Sequence, residues 1–554
     1  MNKLTKPLFI LVVLVVLIGM IGVQVGFGQG EATAFPESHK QMLGASSYRS
    51  LFGLKASGVG PGPHSSDTGT GRPPRVGPNI LVNDPQLPLP DGLLGRSETT
   101  IAASGNGKFL LAGWNDADGF CGPPWNAPCT PPPVPGLSGY AFSIDGGQTW
   151  TDGGVPFLVS TPGGDKLTRG DPSLDVGGYG NDTFFYANMA VDTDPFGQGG
   201  MVVHSGSFKR KNFSWENGVF IPAPSPNDFL DKELLAADKR GNSQAVYVSV
   251  TNFIEVGGIP AFGFGQIEVY SSADSGATFS RSIVQPDETI SVPLNEGVIN
   301  QGSEPAVGPD GTVYLAWERG FLSPLYGQGG AGVYPQIVAS VSTDNGASWS
   351  PRVLVSDICA GALLPPAGYN RDSTNEFPRI AVAQNGPYRG RVYIVYQDCQ
   401  LANGGTQAET GGFGNQDTDI YLSFSDDKGA TWSSPTLVAG GADGLIQFWP
   451  TVSIQPGGNL DITYYESEEV DGTSLVDLYW AQSIDGGETF ESPVRVTEVT
   501  TDWGATATNI IPNFGDYNTA VSAGNRLFAT WADGRNGVPD TFFAKIRTIG
   551  KAPR

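Results

Sequence analysis

The sequence predicts an all-β fold: a single seven-bladed β-propeller whose ring is closed by its own N-terminal strand. Three observations predict it. The phrase Ser-x-Asp-x-Gly-x-Thr/Ser-Trp/Phe occurs five times, beginning at Ser143, Ser272, Ser342, Ser425 and Ser483, and repetition at a blade-sized period marks a repeat architecture. Short apolar runs between Gly, Asn, Asp and Pro read as strands and tight turns, with little sign of helical periodicity. Finally, Pro78-Asn-Ile-Leu-Val-Asn-Asp84 looks like the strands that follow the boxes, such as Pro351-Arg-Val-Leu-Val-Ser-Asp357.

In chain order, Lys3 and Lys6 precede an apolar run from Leu8 to Val23, and Ala32-Thr33-Ala34 follows as a small-x-small cleavage site. Residues 1–34 therefore read as an export signal, giving a secreted or cell-surface protein. An uncleaved membrane tether is the alternative, because the run falls just short of a full span. Residues 35–77, rich in Gly, Pro and Ser, form a linker. The propeller occupies 78–549, and 550–554 is a tail.

Within the propeller, seven units each carry a lead, an apolar strand, a Gly/Asn turn and an aromatic-rich strand. The leads hold Glu98, Asp171, Glu233, Glu304, Glu376, Trp449 and Asp516. The first two boxes lie about two periods apart, so the second unit carries a degenerate box near Ser205 to Trp215. The seventh unit stops one strand short after Asp540, and Pro78–Asp84 supplies that strand. Closure removes the exposed seam of the ring.

Each box reads as a hairpin staple. Its Asp accepts hydrogen bonds from the turn backbone. Its Gly allows a conformation that a Cβ disfavours. Its hydroxyls tie the strand ends, and its aromatic residue fills the space between blades.

The formal net charge is −23, which repels nucleic acid and anionic membrane surfaces. Four cysteines suit an oxidising compartment. Of the three possible pairings, Cys121–Cys129 with Cys359–Cys399 gives the simplest local closure. His39 and His64 lie in the linker and His204 in a strand, which argues against histidine triads and histidine-rich metal sites.

Topology then sorts the loops. Links into inner strands and links from second to third strands share one face, and the boxes lie on the other. The first face collects Glu98, Asp116, Asp171, Asp231, Glu304, Glu376, Asp516 and Asp533, with Trp114, Trp317, Trp449 and Trp531 nearby. It is the expected working surface. Two carboxyl groups across such a mouth suit glycoside hydrolysis. The Trp side chains either stack on sugar rings or pack between blades. No cofactor is required, although calcium suits an oxygen-only donor set; Glu98, Asp171 and Asp516 are its candidate ligands.

The five boxes resemble the Asp-box (BNR) repeats of the sialidase-like β-propellers. The resemblance implies an exported glycoside hydrolase acting on extracellular glycans or glycoproteins, expected as a monomer. The alternative is a non-catalytic glycan- or protein-binding propeller. Sialidases use a Tyr nucleophile with a Glu partner, an acid/base Asp and three clamping Arg. By position, Tyr517 is similar to the nucleophile, Glu376 or Glu304 to its partner and Asp116 to the acid. Trp114, Trp317, Arg319, Arg379, Trp449 and Arg535 are the implied substrate contacts. Phe377-Pro378-Arg379-Ile380 stands as a scrambled neighbour of the Phe/Tyr-Arg-Ile-Pro signature. Sialidase domains have six blades, so six is the alternative count.

Overall fold

The boxes fold as their residues dictate. In the first, Ser143 Oγ donates to Asp145 Oδ1 at 2.9 Å and accepts from the Gly147 amide at 2.9 Å. Thr149 donates its amide to Asp145 Oδ1 at 3.0 Å and its hydroxyl to Oδ2 at 2.7 Å. The same four bonds recur at Ser272, Ser342, Ser425 and Ser483. Two consecutive residues, rather than the Gly alone, take left-handed φ: Asn345 and Gly346, for example, at 61° and 82°. Hydroxyl and amide donors from Thr278 hold Asp274 down to about 2.

The structure is a computed structural model that describes residues 75–84, 94–117, 136–177, 183–192, 199–254, 265–291, 296–323, 327–328, 335–358, 366–370, 375–399, 418–440, 445–470, 473–508 and 510–548. The expected export signal, Cys121, Cys129, Cys359 and most of the 35–77 linker lie outside these residues, as does the side chain of Cys399.

Seven antiparallel sheets follow one another along the chain. Their inner strands are Arg96–Ala103, Ser173–Gly177, Phe229–Ala237, Glu296–Val307, Arg379–Val382, Ile446–Ile454 and Thr519–Ala523, which number blades 1 to 7. The ring closes as expected. Arg75–Val76 and Ile80–Leu81 pair with Asp540–Arg547, in registers Val76↔Ile546 and Ile80↔Phe543. Asn83 secures the join, donating to Asp540 Oδ1 at 2.9 Å and accepting from the Thr541 amide at 2.8 Å. Blade 2 has the expected degenerate hairpin, Gly200–Lys209 with Asn212–Pro222, and adds a further hairpin from Val159–Thr161 and Gly164–Thr168.

The core lies between blades. Each of the seven adjacent pairs encloses one apolar cluster. Box aromatics join these clusters: Trp150 packs edge-on against Phe543 of blade 7, and Trp349 donates its indole N–H to Ser282 of blade 3 at 3.1 Å. His204 is also core, its ring nitrogen 2.9 Å from the Phe157 carbonyl, and burial pushes it down to about 4.

Inner strands enter the ring through bulges. The register slips between Ser97 and Thr100, Asp231 and Leu234, Gln301 and Glu304, and Phe448 and Thr451. Glu98, Lys232, Gly302 and Trp449 take left-handed φ at these points, and Asp171 does so at the start of blade 2. A bulge re-aims a side chain, and here it turns charged groups toward one another near the ring axis.

Candidate functional site

The bulges of blades 1 and 3 and the leads of blades 2 and 7 build one ionic cluster. Lys232 Nζ lies 3.2 Å from Glu98, 3.1 Å from Asp171 and 2.9 Å from Asp516. All four side chains are at least nine-tenths buried. Burial and the neighbouring Asp171 push Glu98 well above the glutamate range. Asp171 itself stays below the aspartate range: burial opposes this, but the Lys232 charge prevails. The expected calcium ligands thus converge on a cation, but that cation is the chain's own ammonium. No group of metal-ligating side chains occurs among the described residues. Glu233 completes the cluster as a buried carboxyl whose two oxygens have no hydrogen-bond partner.

Tyr517 belongs to this cluster as well. Its ring lies 5.8 Å from Lys232 Nζ, and its hydroxyl donates to the Pro172 carbonyl at 3.2 Å. Burial, Glu98, Asp171 and Glu233 raise the phenol well above its ordinary value. The expected pairing of Tyr517 with Glu376 or Glu304 is therefore not formed, and the surrounding acids oppose the phenolate a nucleophile needs.

Asp116 is committed elsewhere. It pairs with Arg96 at 2.9 Å and accepts the Trp114 indole N–H at 3.2 Å. Trp531 repeats the motif on Asp533 at 2.8 Å, and Trp317 donates to Asn300 at 2.9 Å. Trp114, Trp317, Trp449 and Trp531 are all buried in the clusters between blades. The expected sugar-stacking faces are covered because inter-blade packing takes the whole indole surface.

One end of the mouth is plugged. Residues 366–370, from the link between blades 4 and 5, cross to the link that enters blade 7. Tyr369 donates to Asp516 Oδ1 at 2.8 Å, and Asn370 and Asn513 exchange backbone-to-side-chain bonds at 3.3 and 2.8 Å. Trp503 stacks on Trp449 and Phe514, and Tyr369 and Tyr465 pack edge-on or tilted against this group in the core between blades 6 and 7.

The sector over blades 4 and 5 differs. Glu318, in the middle of the second strand of blade 4 (Val313–Ser323), is half-buried. Burial raises its carboxyl to about 7, and the Glu376 amide offsets part of that rise by donating to Oε2 at 3.3 Å. Glu376 accepts from Gln397 Nε2 at 3.4 Å, and Gln397 Oε1 accepts the Trp449 amide at 2.9 Å. Beside them, Glu304 holds Arg379 at 2.8 Å and accepts the Ile380 amide at 2.8 Å. Burial still raises Glu304 above the glutamate range. Arg319 is bound by Glu288, and Arg535 by Asp533 and Asn79. A carboxyl group that titrates near neutrality beside a second carboxyl residue can both give and take a proton.

Of the expected catalytic set, Glu304 is paired with Arg379, Glu376 bonds Gln397 and Glu318, Tyr517 lies against the Lys232 cluster and Asp116 pairs with Arg96. Sequence reasoning did not single out Glu318 or Lys232. The signal for Lys232 was its place, one residue after Asp231, in register with Glu98.

No family model and no curated protein matches this chain. Similar solved structures include a protein of unknown function from Dyadobacter fermentans, at 14% identity, with 86% of this chain and 99% of that chain covered and a TM-score of 0.42. Another is the GH93 α-L-arabinofuranosidase of Fusarium graminearum in complex with arabinobiose, at 10% identity, 85% and 98% coverage and a TM-score of 0.42. A third is the Hadza microbial sialidase Hz136, at 12% identity, 74% and 73% coverage and a TM-score of 0.38. The seven-sheet ring itself, rather than these distant likenesses, establishes the fold.

Proposed function

We propose that the protein hydrolyses a glycosidic bond at the blade 4–blade 5 sector of the mouth. Glu318 serves as general acid and Glu376 as the second carboxyl group. The observation that carries this reading is the half-buried Glu318 carboxyl, raised to about 7 and bonded to the Glu376 backbone amide. A glycosidase needs one carboxylic acid that keeps its proton near neutral pH and a second group to act as base or nucleophile. In the same reading the protein works outside the cytoplasm, as a monomer on extracellular glycans or glycoproteins, with no cofactor. The apolar run Leu8–Val23 and the net charge of −23 support that location.

The test is hydrolysis of a panel of fluorogenic glycosides. Glu318→Gln should lower kcat/KM by about 10²–10⁴-fold. The wild-type rate should fall as pH rises through about 7, because the acid form of Glu318 is lost there. Tyr517→Phe should retain turnover. Full activity in Glu318→Gln would sink this assignment, and loss confined to Tyr517→Phe would return the chemistry to the Lys232 cluster.

A further inference from the structure

Resting on the hydrolase reading, we propose that the sugar accepted at this mouth is uncharged. Recognition of an acidic sugar needs cationic groups free to meet its carboxylate, and five of the described cations of this face already hold acids of the chain. Arg96 binds Asp116 at 2.9 Å, and Arg379 binds Glu304 at 2.8 Å. Arg319 grips Glu288 through Nε at 3.0 Å and Nη2 at 2.5 Å. Arg535 grips Asp533 in the same two-point manner, at 3.0 and 2.6 Å. Lys232 serves three acids at once. Arg169 is only 8% exposed, and burial lowers its guanidinium to about 9.

A two-point guanidinium–carboxylate pair has satisfied its charge and its planar donor edge. Drawing Arg319 or Arg535 onto a substrate carboxylate would break a two-point pair with Glu288 or Asp533, and drawing Arg96 or Arg379 away would leave the buried Asp116 or Glu304 without its cation. The chain's net charge of −23 adds a long-range repulsion toward anions. A neutral sugar meets no such barrier. Its hydroxyls donate to carboxylate oxygens.

Matched aryl glycosides test this: glucoside against glucuronide, galactoside against galacturonide, pentofuranosides, and a sialoside. The neutral member of each pair should show about 100-fold higher kcat/KM, unchanged by added salt, while any residual cleavage of the acidic member should rise with salt. Glu288→Gln, which releases Arg319, should raise the relative rate on the acidic member several-fold. Cleavage of glucuronide, galacturonide or sialoside at or above the neutral rate, and lost in Glu318→Gln, would overturn the inference and leave the hydrolase reading standing. No cleavage of any member would overturn the hydrolase reading and this inference with it.

Discussion

Lys232 concentrates the residue-scale physics of this protein. One ammonium neutralises acids from three other blades, so its removal leaves buried carboxyl groups without a cation. Lys232→Met should therefore cost about 3–5 kcal/mol in denaturant unfolding. The acids around it respond to pH in opposite senses. Asp171 is held below its ordinary value, so it stabilises the fold above the ordinary aspartate range and loses that contribution as pH falls through its folded value. Glu98 is held above its ordinary value, so its ionisation costs stability as pH rises from the glutamate range toward its folded value. Glu98→Gln should flatten the alkaline decline of the urea midpoint and leave the acid limb in place. At this scale the sequence was only partly legible. The acidic leads were visible as residue types, but which acid would meet which base depends on side chains more than a hundred positions apart, as with Lys232 and Glu98. Tyr517 looked like a nucleophile by position, yet its hydroxyl faces a carbonyl of blade 2 because the blade 7 lead packs inward there.

At the scale of elements, the boxes were legible almost atom by atom, because every bond in them joins residues within four positions of one another. Their glycines also carry a packing demand that local reading does not reveal. Gly147 has φ of 82°, and a Cβ there would run into the Phe543 ring. Gly154 has φ of 70° with open space around it. Gly154→Ala should therefore cost about 1 kcal/mol, the backbone term alone. Gly147→Ala should cost about 3 kcal/mol, because overpacking adds to that term. Urea unfolding of the two variants separates the contributions. The inner-strand bulges were not legible, since Glu98, Asp171, Lys232 and Trp449 adopt left-handed φ against their own preference. Bulky residues hold such conformations only where surrounding contacts impose them. Nor was the crossing of residues 366–370 visible, because its bonds reach residues about 140 positions away.

For the whole molecule, the blade count and the ring closure followed from the repeat, since each blade must bury both faces against its neighbours and the last must meet the first. The closing strand covers the Asp540–Arg547 edge. A chain starting at residue 85 should expose that edge and self-associate, visible as higher-mass species by light scattering. Asn83→Ala, which removes the two bonds at the join, should cost about 1–3 kcal/mol and leave the oligomeric state of the protein unchanged. The join also sets an order of events during synthesis. Asn83 and Asp540 stand 457 residues apart, so the earliest-made strand of the ring waits, unpaired, until nearly the whole chain has been translated. Blades 1 to 6 can assemble from neighbouring segments as they emerge, but the last must be completed by a strand from the far end of the polypeptide. A nascent chain stalled before Asp540 therefore holds an open arc with a loose apolar strand, and a folding factor that shelters Ile80-Leu81-Val82 would act on every copy made.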